Sequence, residues 1–158
     1  MNPLREAKAT PLPSHVSATI VHLPDEKIPY HANRREVVRV CLDSQMKHHG
    51  MKDVHQIIWS NGSSKAVNKW LMDRYPEATI IRSPNIGKSN ARFAIFSMFP
   101  DETMMSLSDD DMFFYPGWMK ELDHVYQTFP NVGQVTGYPV RTAFRWACTG
   151  TIQWGMKF

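Results

Sequence analysis

Between residues 18 and 140 the apolar positions switch repeatedly between two periods, short β-prone runs alternating with longer stretches at helical spacing. Ala18–Leu23 is a short apolar run stopped by Pro24 and reads as a buried strand ending in a loop. Asn33 is a good N-cap, after which Val37, Val40, Cys41 and either Gln45 or Met46 fall at helical spacing. Lys47, His48 and His49 then give a basic end before Gly50, which stops that helix. Val54–Trp59 is the second strand, closed by the turn Ser60-Asn61-Gly62-Ser63-Ser64, and Lys65–Tyr75 is a helix ended by Pro76. The unit recurs as strand Thr79–Arg82, loop Ser83–Gly87 and helix Lys88–Phe99 ended by Pro100. Strand Thr103–Leu107, an acidic loop Asp109–Asp111, helix Gly117–Phe129 and strand Val132–Val140 complete the pattern.

Strands alternating with helices predict βαβ crossovers, and so an α/β fold: a mostly parallel sheet sandwiched by helices, Rossmann-like in outline. Ligands of such folds sit beyond the carboxyl ends of the strands, so the loops that follow strands are where chemistry is expected. Residues 1–17, with Pro3, Pro11 and Pro13, read as an irregular leader, and 141–158 as a final strand or the start of a further region.

Composition narrows the picture modestly. A chain of 158 residues with 42% hydrophobic residues is one domain's worth of sequence and can bury a real core. The net charge of +3 is spread without a block of like charges, so no nucleic acid is expected as a partner. No run approaches the length of a membrane span, and Met1–His15 lacks the apolar core of a secretory signal, so the expected location is cytoplasmic. Cys41 and Cys148 have no second cysteine nearby and read as reduced, packed residues. His48 and His49 read as a helix-end feature, and the ten methionines as core filler.

Three consecutive carboxylates, Asp109, Asp110 and Asp111, change the picture more. Neighbouring carboxylates repel, and placing three at a strand end is costly without a cation or a hydrogen-bond network. In an extended segment alternate side chains share a face, so Asp109 and Asp111 are expected to converge on one ligand while Asp110 points elsewhere. Oxygen-only ligands suit Mg²⁺ or Mn²⁺, and no cysteine or histidine is placed to make a zinc site. The same residues also fit a solvated acidic turn ahead of the helix at Gly117. Against that, the apolar run Met112–Trp118 is expected to seat the carboxylates on a packed floor.

The stretch Leu107–Met119 resembles the DxD region of GT-A glycosyltransferases, in particular the large family 2 of inverting enzymes that use nucleotide-diphosphate sugars. Four other stretches agree in order and approximate spacing. His22-Leu23-Pro24 and Arg39–Gln45 are similar to the family's first strand end and first helix. Ile57–Ser64 is similar to its second strand and "(D/N)NGS" turn, and Asn85–Arg92 to its "NxGxxxAR" segment. The resemblance implies a nucleotide-sugar-binding GT-A core over 18–140 and a metal-dependent transferase, inverting at the sugar. It implies Asp111 as ligand of Mn²⁺ or Mg²⁺ together with Asp109, which also contacts the ribose or donor sugar, and Asp110 assisting either. Pro24 would border the nucleobase, Ser60 stands where the family usually has an Asp, Asn85 and Gly87 shape the turn before the helix, and Arg92 lies near the nucleotide. Asn85 and Gly87 are equally ordinary turn chemistry, and Arg92 equally an exposed helix cation.

The partners implied are a nucleotide-diphosphate sugar and an acceptor, whether glycan, lipid or protein, that the sequence does not identify. Transfer also needs a carboxylate base, and no Asp or Glu follows Asp123. The expectation is therefore a short nucleotide-sugar-binding half, with the catalytic residue unassigned and a homo-oligomer or a partner chain completing the site. Two other functions fit the same residues: a nucleotide-sugar-binding module that does not complete transfer, and a Mg²⁺-dependent nucleotidyl- or phosphotransferase, although no P-loop is present. The tail carries Arg141, Phe144, Arg145, Trp146 and Trp154, suited to phosphate contact and sugar stacking or to packing of a last strand.

Overall fold

The computed structural model describes residues 14–25, 27–100 and 103–137. The first thirteen residues of the expected leader and the tail 141–158 lie outside them. Four strands form one sheet: β1 His15–Val21, β2 Val54–Asn61, β3 Thr79–Ser83 and β4 Met104–Ser108. Three helices alternate with them, α1 Arg34–His48, α2 Lys65–Arg74 and α3 Lys88–Phe96, and α4 Trp118–Thr128 follows β4. All pairings are parallel, in the order β3-β2-β1-β4. The fold is therefore α/β and Rossmann-like, with helices on both faces of the sheet. Among the described residues no helix is long and apolar enough to cross a membrane.

Alternation along β1 and β2 divides the core. Val16, Ala18 and Ile20 of β1 join Ile57 and Trp59 of β2 beneath Ala91 and Ile95 of α3. On the opposite face Val21, Leu23 and Ile58 pack against Val38 and Leu42 of α1, Val67 and Leu71 of α2, and Tyr75. Helices α1 and α2 thus share one face and α3 takes the other, so the chain crosses the sheet plane between β3 and β4. Asp43 of α1 ties these two helices by accepting from Arg74 at 2.7 Å and from the Tyr75 hydroxyl at 2.9 Å. Burial alone would raise that carboxyl, but the hydrogen bonds from Arg74 and Tyr75 outweigh it and hold it below the usual range.

The buried stripe of α1 keeps Cys41 and Gln45 of the expected set but not its two valines. Val37 and Val40 are exposed, whereas Val38, Cys41, Leu42, Ser44 and Gln45 are buried. The reason is polar: Gln45 is fully buried because Thr19, Gln56 and Ser108 provide hydrogen bonds for it. β1 begins at His15, inside the stretch read as leader, and its polar Ser17 and Thr19 lie on that same α1-side face, which hides the strand from a hydrophobic scan. α2 starts where Ser64 caps Val67 N at 3.2 Å. α3 stops at Phe96, three residues before the expected end, because the residues preceding Pro100 leave the helix in a turn.

The chain divides into a compact unit running to Met119 and a second beginning at Lys120. Within the second, Thr128 and Gln127 bond back to His124 and Asp123. Residues 132–137 form no strand, contrary to the expected Val132–Val140, whose last three residues lie outside the described ones. Asn131 at φ 60° closes the helix and the chain continues irregularly.

Leu42 is 0% exposed and Val40 is 36% exposed. Leu42→Ala is expected to cost about 2–5 kcal/mol and Val40→Ala within about 0.5 kcal/mol in urea unfolding. Equal losses would place the buried stripe wrongly.

Candidate functional site: the acidic turn at the strand-order reversal

Strand order reverses between β1 and β4, the place where a doubly wound sheet opens a crevice at its carboxyl edge. The acidic triplet lies there. β4 ends at Ser108 and the chain enters a turn at Asp110 and Asp111, so the two-residue alternation of a strand does not extend through the aspartates. The expected convergence of Asp109 and Asp111 is therefore not what the structure shows. Asp110 and Asp111 are the pair that converge, on Arg34 at the start of α1; one guanidinium nitrogen pairs with Asp110 and another lies 3.4 Å from Asp111. Asp109 turns the other way, to Lys88 and to Arg92 at 3.1 Å, both on α3.

The three carboxylates sit in different surroundings. Asp110 is 7% exposed, and the backbone of His22, just past the end of β1, favours its charged form. Burial pushes its carboxyl above the usual range, Arg34 opposes that, and the neighbouring charge of Asp111 adds to it. Asp109 and Asp111 reach the surface. Nε of Arg92 is buried without a hydrogen-bond partner.

Beneath the turn lies the polar network built on Gln45. Thr19 Oγ1 donates to Gln45 Oε1 at 2.7 Å, Gln56 Nε2 donates to the same oxygen at 2.9 Å, and Gln45 Nε2 donates to Ser108 Oγ at 2.8 Å. It joins β1, β2, α1 and the last residue of β4, and so fixes where the turn begins. The expected apolar floor is not a floor. Met112, Phe113 and Tyr115 are exposed, and the aromatic rings of half-buried Phe114 and Trp118 meet at a 49° tilt with centroids 4.6 Å apart. This loop is held instead by the C-terminal end of α1: Gly117 N–H donates to the His48 carbonyl at 2.7 Å and the Trp118 indole to the Gln45 carbonyl at 3.1 Å.

The remaining candidates lie along the same edge. Pro24 is exposed beyond Leu23, whose N–H donates to Ser63 Oγ at 3.0 Å. Ser60 is buried and its hydroxyl donates to Asn68 Oδ1 at 2.5 Å, so in this structure it faces α2. Asn85 is exposed and accepts from Asn61 Nδ2 at 3.2 Å and from Gly87 N–H at 3.0 Å. Asn61 Oδ1 accepts Ile86 N–H at 2.9 Å, and Gly62 N–H donates to the Ser83 carbonyl at 2.8 Å. Gly62, at φ +74°, is required here, since a Cβ would meet the Asn85 Cβ at 2.8 Å. Asn85 thus links the loops after β2 and β3, Gly87 bonds within its own loop, Ser60 holds α2, and Arg92 pairs with the acidic turn.

Arg34 and Lys88 were not among the residues singled out from the sequence. A signal was present: α1, α2 and α3 open with Arg34, Lys65 and Lys88, cations where the helix dipole disfavours them. Two of these, Arg34 and Lys88, pair with the aspartates, and with Arg92 they offset the charge of the three adjacent carboxylates. The oxygens of Asp110 and Asp111 suit Mg²⁺ or Mn²⁺, which take one or two carboxylates and complete their shell with water and substrate phosphate. Among the described residues no three His, Cys, Asp or Glu gather into a preformed cage. A scan against protein-family models returns no match, and a search of curated proteins returns no significant match.

Two predictions follow from this geometry. Gly62→Ala is expected to destabilise the protein by about 1–3 kcal/mol in urea unfolding; a negligible change would show that the two loops are not in close contact. Cys41 is buried, its thiol donates to the Asp109 carbonyl at 3.4 Å, and burial pushes its pKa up to about 12. In a Cys148→Ser background at pH 8, about one thiol in ten thousand is then ionised, so an aromatic disulfide reagent should label Cys41 only after unfolding. Rapid native labelling would contradict the packing of α1 on the turn.

Proposed function

We propose that this chain binds a nucleotide-diphosphate sugar and transfers the sugar to an acceptor, in the manner of the GT-A family 2 glycosyltransferases that its motifs resemble. The observation that carries the reading is the acidic turn at the strand-order reversal, flanked by Arg34 from α1 and by Lys88 and Arg92 from α3. Such an edge offers carboxylate oxygens to a divalent cation and guanidinium and ammonium donors to phosphates, the two chemistries a nucleoside diphosphate needs. In this reading Asp111, with Asp110 beside it, holds Mn²⁺ or Mg²⁺. Asp109 meets the ribose or donor sugar, and the unpartnered Nε of Arg92 is a donor for phosphate or sugar oxygen. Pro24 and the Asn85–Gly87 turn border the nucleotide. The bound ion would supply Lewis-acid stabilisation of the departing diphosphate. Buried, reduced Cys41 supports a cytoplasmic setting.

A second reading, binding without transfer, is favoured by the ion pairs themselves: each of the three carboxylates at the reversal is engaged with a cation, so none stands ready to take the acceptor's proton.

Calorimetry with a panel of nucleoside diphosphates is expected to show Mn²⁺-dependent binding of at least one, weakened by about tenfold or more in Asp111→Ala. No affinity for any of them would sink both readings. Release of nucleoside diphosphate from a bound nucleotide sugar separates them, since the binding module releases none.

A further inference from the structure

We infer that Arg34 holds the place a divalent cation would take between Asp110 and Asp111, and that its release couples cation binding to diphosphate binding. This inference rests on the metal-and-nucleotide reading of the acidic turn. A single guanidinium bridges Asp110 and Asp111, with two different nitrogens on the two carboxylates. That is the pair of ligands a cation at this turn would take, and a bridging guanidinium and a metal ion cannot both hold the same oxygens. Asp109 has its own cations in Lys88 and Arg92, so it does not draw on Arg34. Asp110 is buried and cannot be left without a positive partner at acceptable cost. The exchange must therefore be one cation for another.

Once displaced, Arg34 remains the first residue of α1, on the edge where α2 and α3 also begin. Its planar fork matches a phosphate as well as it matches a carboxylate. A diphosphate draws Arg34 away from the carboxylates, and a cation on the carboxylates frees Arg34 for the diphosphate. Each ligand thus raises the affinity of the other, and by linkage the two effects are equal. Arg34 is here a positioning and gating residue, not a catalytic one.

Electron paramagnetic resonance of Mn²⁺ titrated into the full chain, without nucleotide, reads the exchange directly. Arg34→Gln is expected to tighten Mn²⁺ alone by about fivefold or more and to weaken the Mn²⁺-dependent binding of nucleoside diphosphate by a similar factor. Arg34→Lys, which keeps the charge that compensates Asp110 but cannot bridge two carboxylates, is expected to shift both in the same directions by less. It serves alone if the Gln variant does not fold. A residue that merely supports the turn would leave Mn²⁺ affinity unchanged or lowered on substitution. That result, with wild-type protein still binding Mn²⁺ and nucleoside diphosphate together, overturns the inference while the functional reading stands. Wild-type protein that binds no nucleoside diphosphate in the presence of Mn²⁺ overturns the functional reading and the coupling with it.

Discussion

The pairing of β1 along both its edges governs this structure. β1 meets β2 on one side and β4 on the other, with Thr19 opposite Ile58 and opposite Ser108. Parallel neighbours cannot be joined by tight turns, so every connection becomes a crossover, and the crossovers must change faces where the order reverses. That change separates α1 from α3 and leaves the ends of β1 and β4 adjacent, with a helix start on either side. The placement of Asp109–Asp111 beside Arg34, Lys88 and Arg92 follows from topology before any side chain is considered.

A second constraint comes from the polar character of one face of β1. Ser17 and Thr19 face α1, where an all-apolar strand would have made an ordinary core. The helix answers with Gln45, whose amide takes donors from Thr19 and Gln56 and donates to Ser108. Removing one partner from such a buried network leaves a polar group unpaired at about 1–3 kcal/mol, so these residues hold one another in place. Since Ser108 is the last residue of β4, the network also fixes the register at which the acidic turn leaves the sheet.

The sequence was legible where periodicity and punctuation agreed. The turn Ser60–Ser64 and Pro76 bounded α2, the loop Ser83–Gly87 marked the start of α3, and the alternation of strands and helices was enough for the parallel α/β fold. It misled where a polar residue took an apolar role. Of the stripe expected on α1, Cys41 and Gln45 are buried but Val37 and Val40 are not, and Ser17 hid the start of β1. At the site, the triplet itself was visible, but its directions were not, because a turn replaces the strand after Ser108. The cations that hold it come from α1 and α3, about seventy-five and twenty residues away along the chain, and only the fold brings such distant positions together.

Charge compensation at the reversal decides what kind of ligand the edge can take. The three aspartates are each matched by a cation, so an anion alone must compete with carboxylates for Arg34, Lys88 and Arg92, and a cation alone must compete with those side chains for the carboxylates. A ligand of one sign breaks about as many ion pairs as it makes. A ligand that brings both signs at adjacent positions, a divalent cation on a diphosphate, replaces each internal pair with an external one. The partly buried setting of Asp110 and Arg34 enlarges this difference, because an unmatched charge there is poorly solvated. Under the proposed function, selectivity for a charge-paired ligand over either ion alone would follow from the site's internal neutrality.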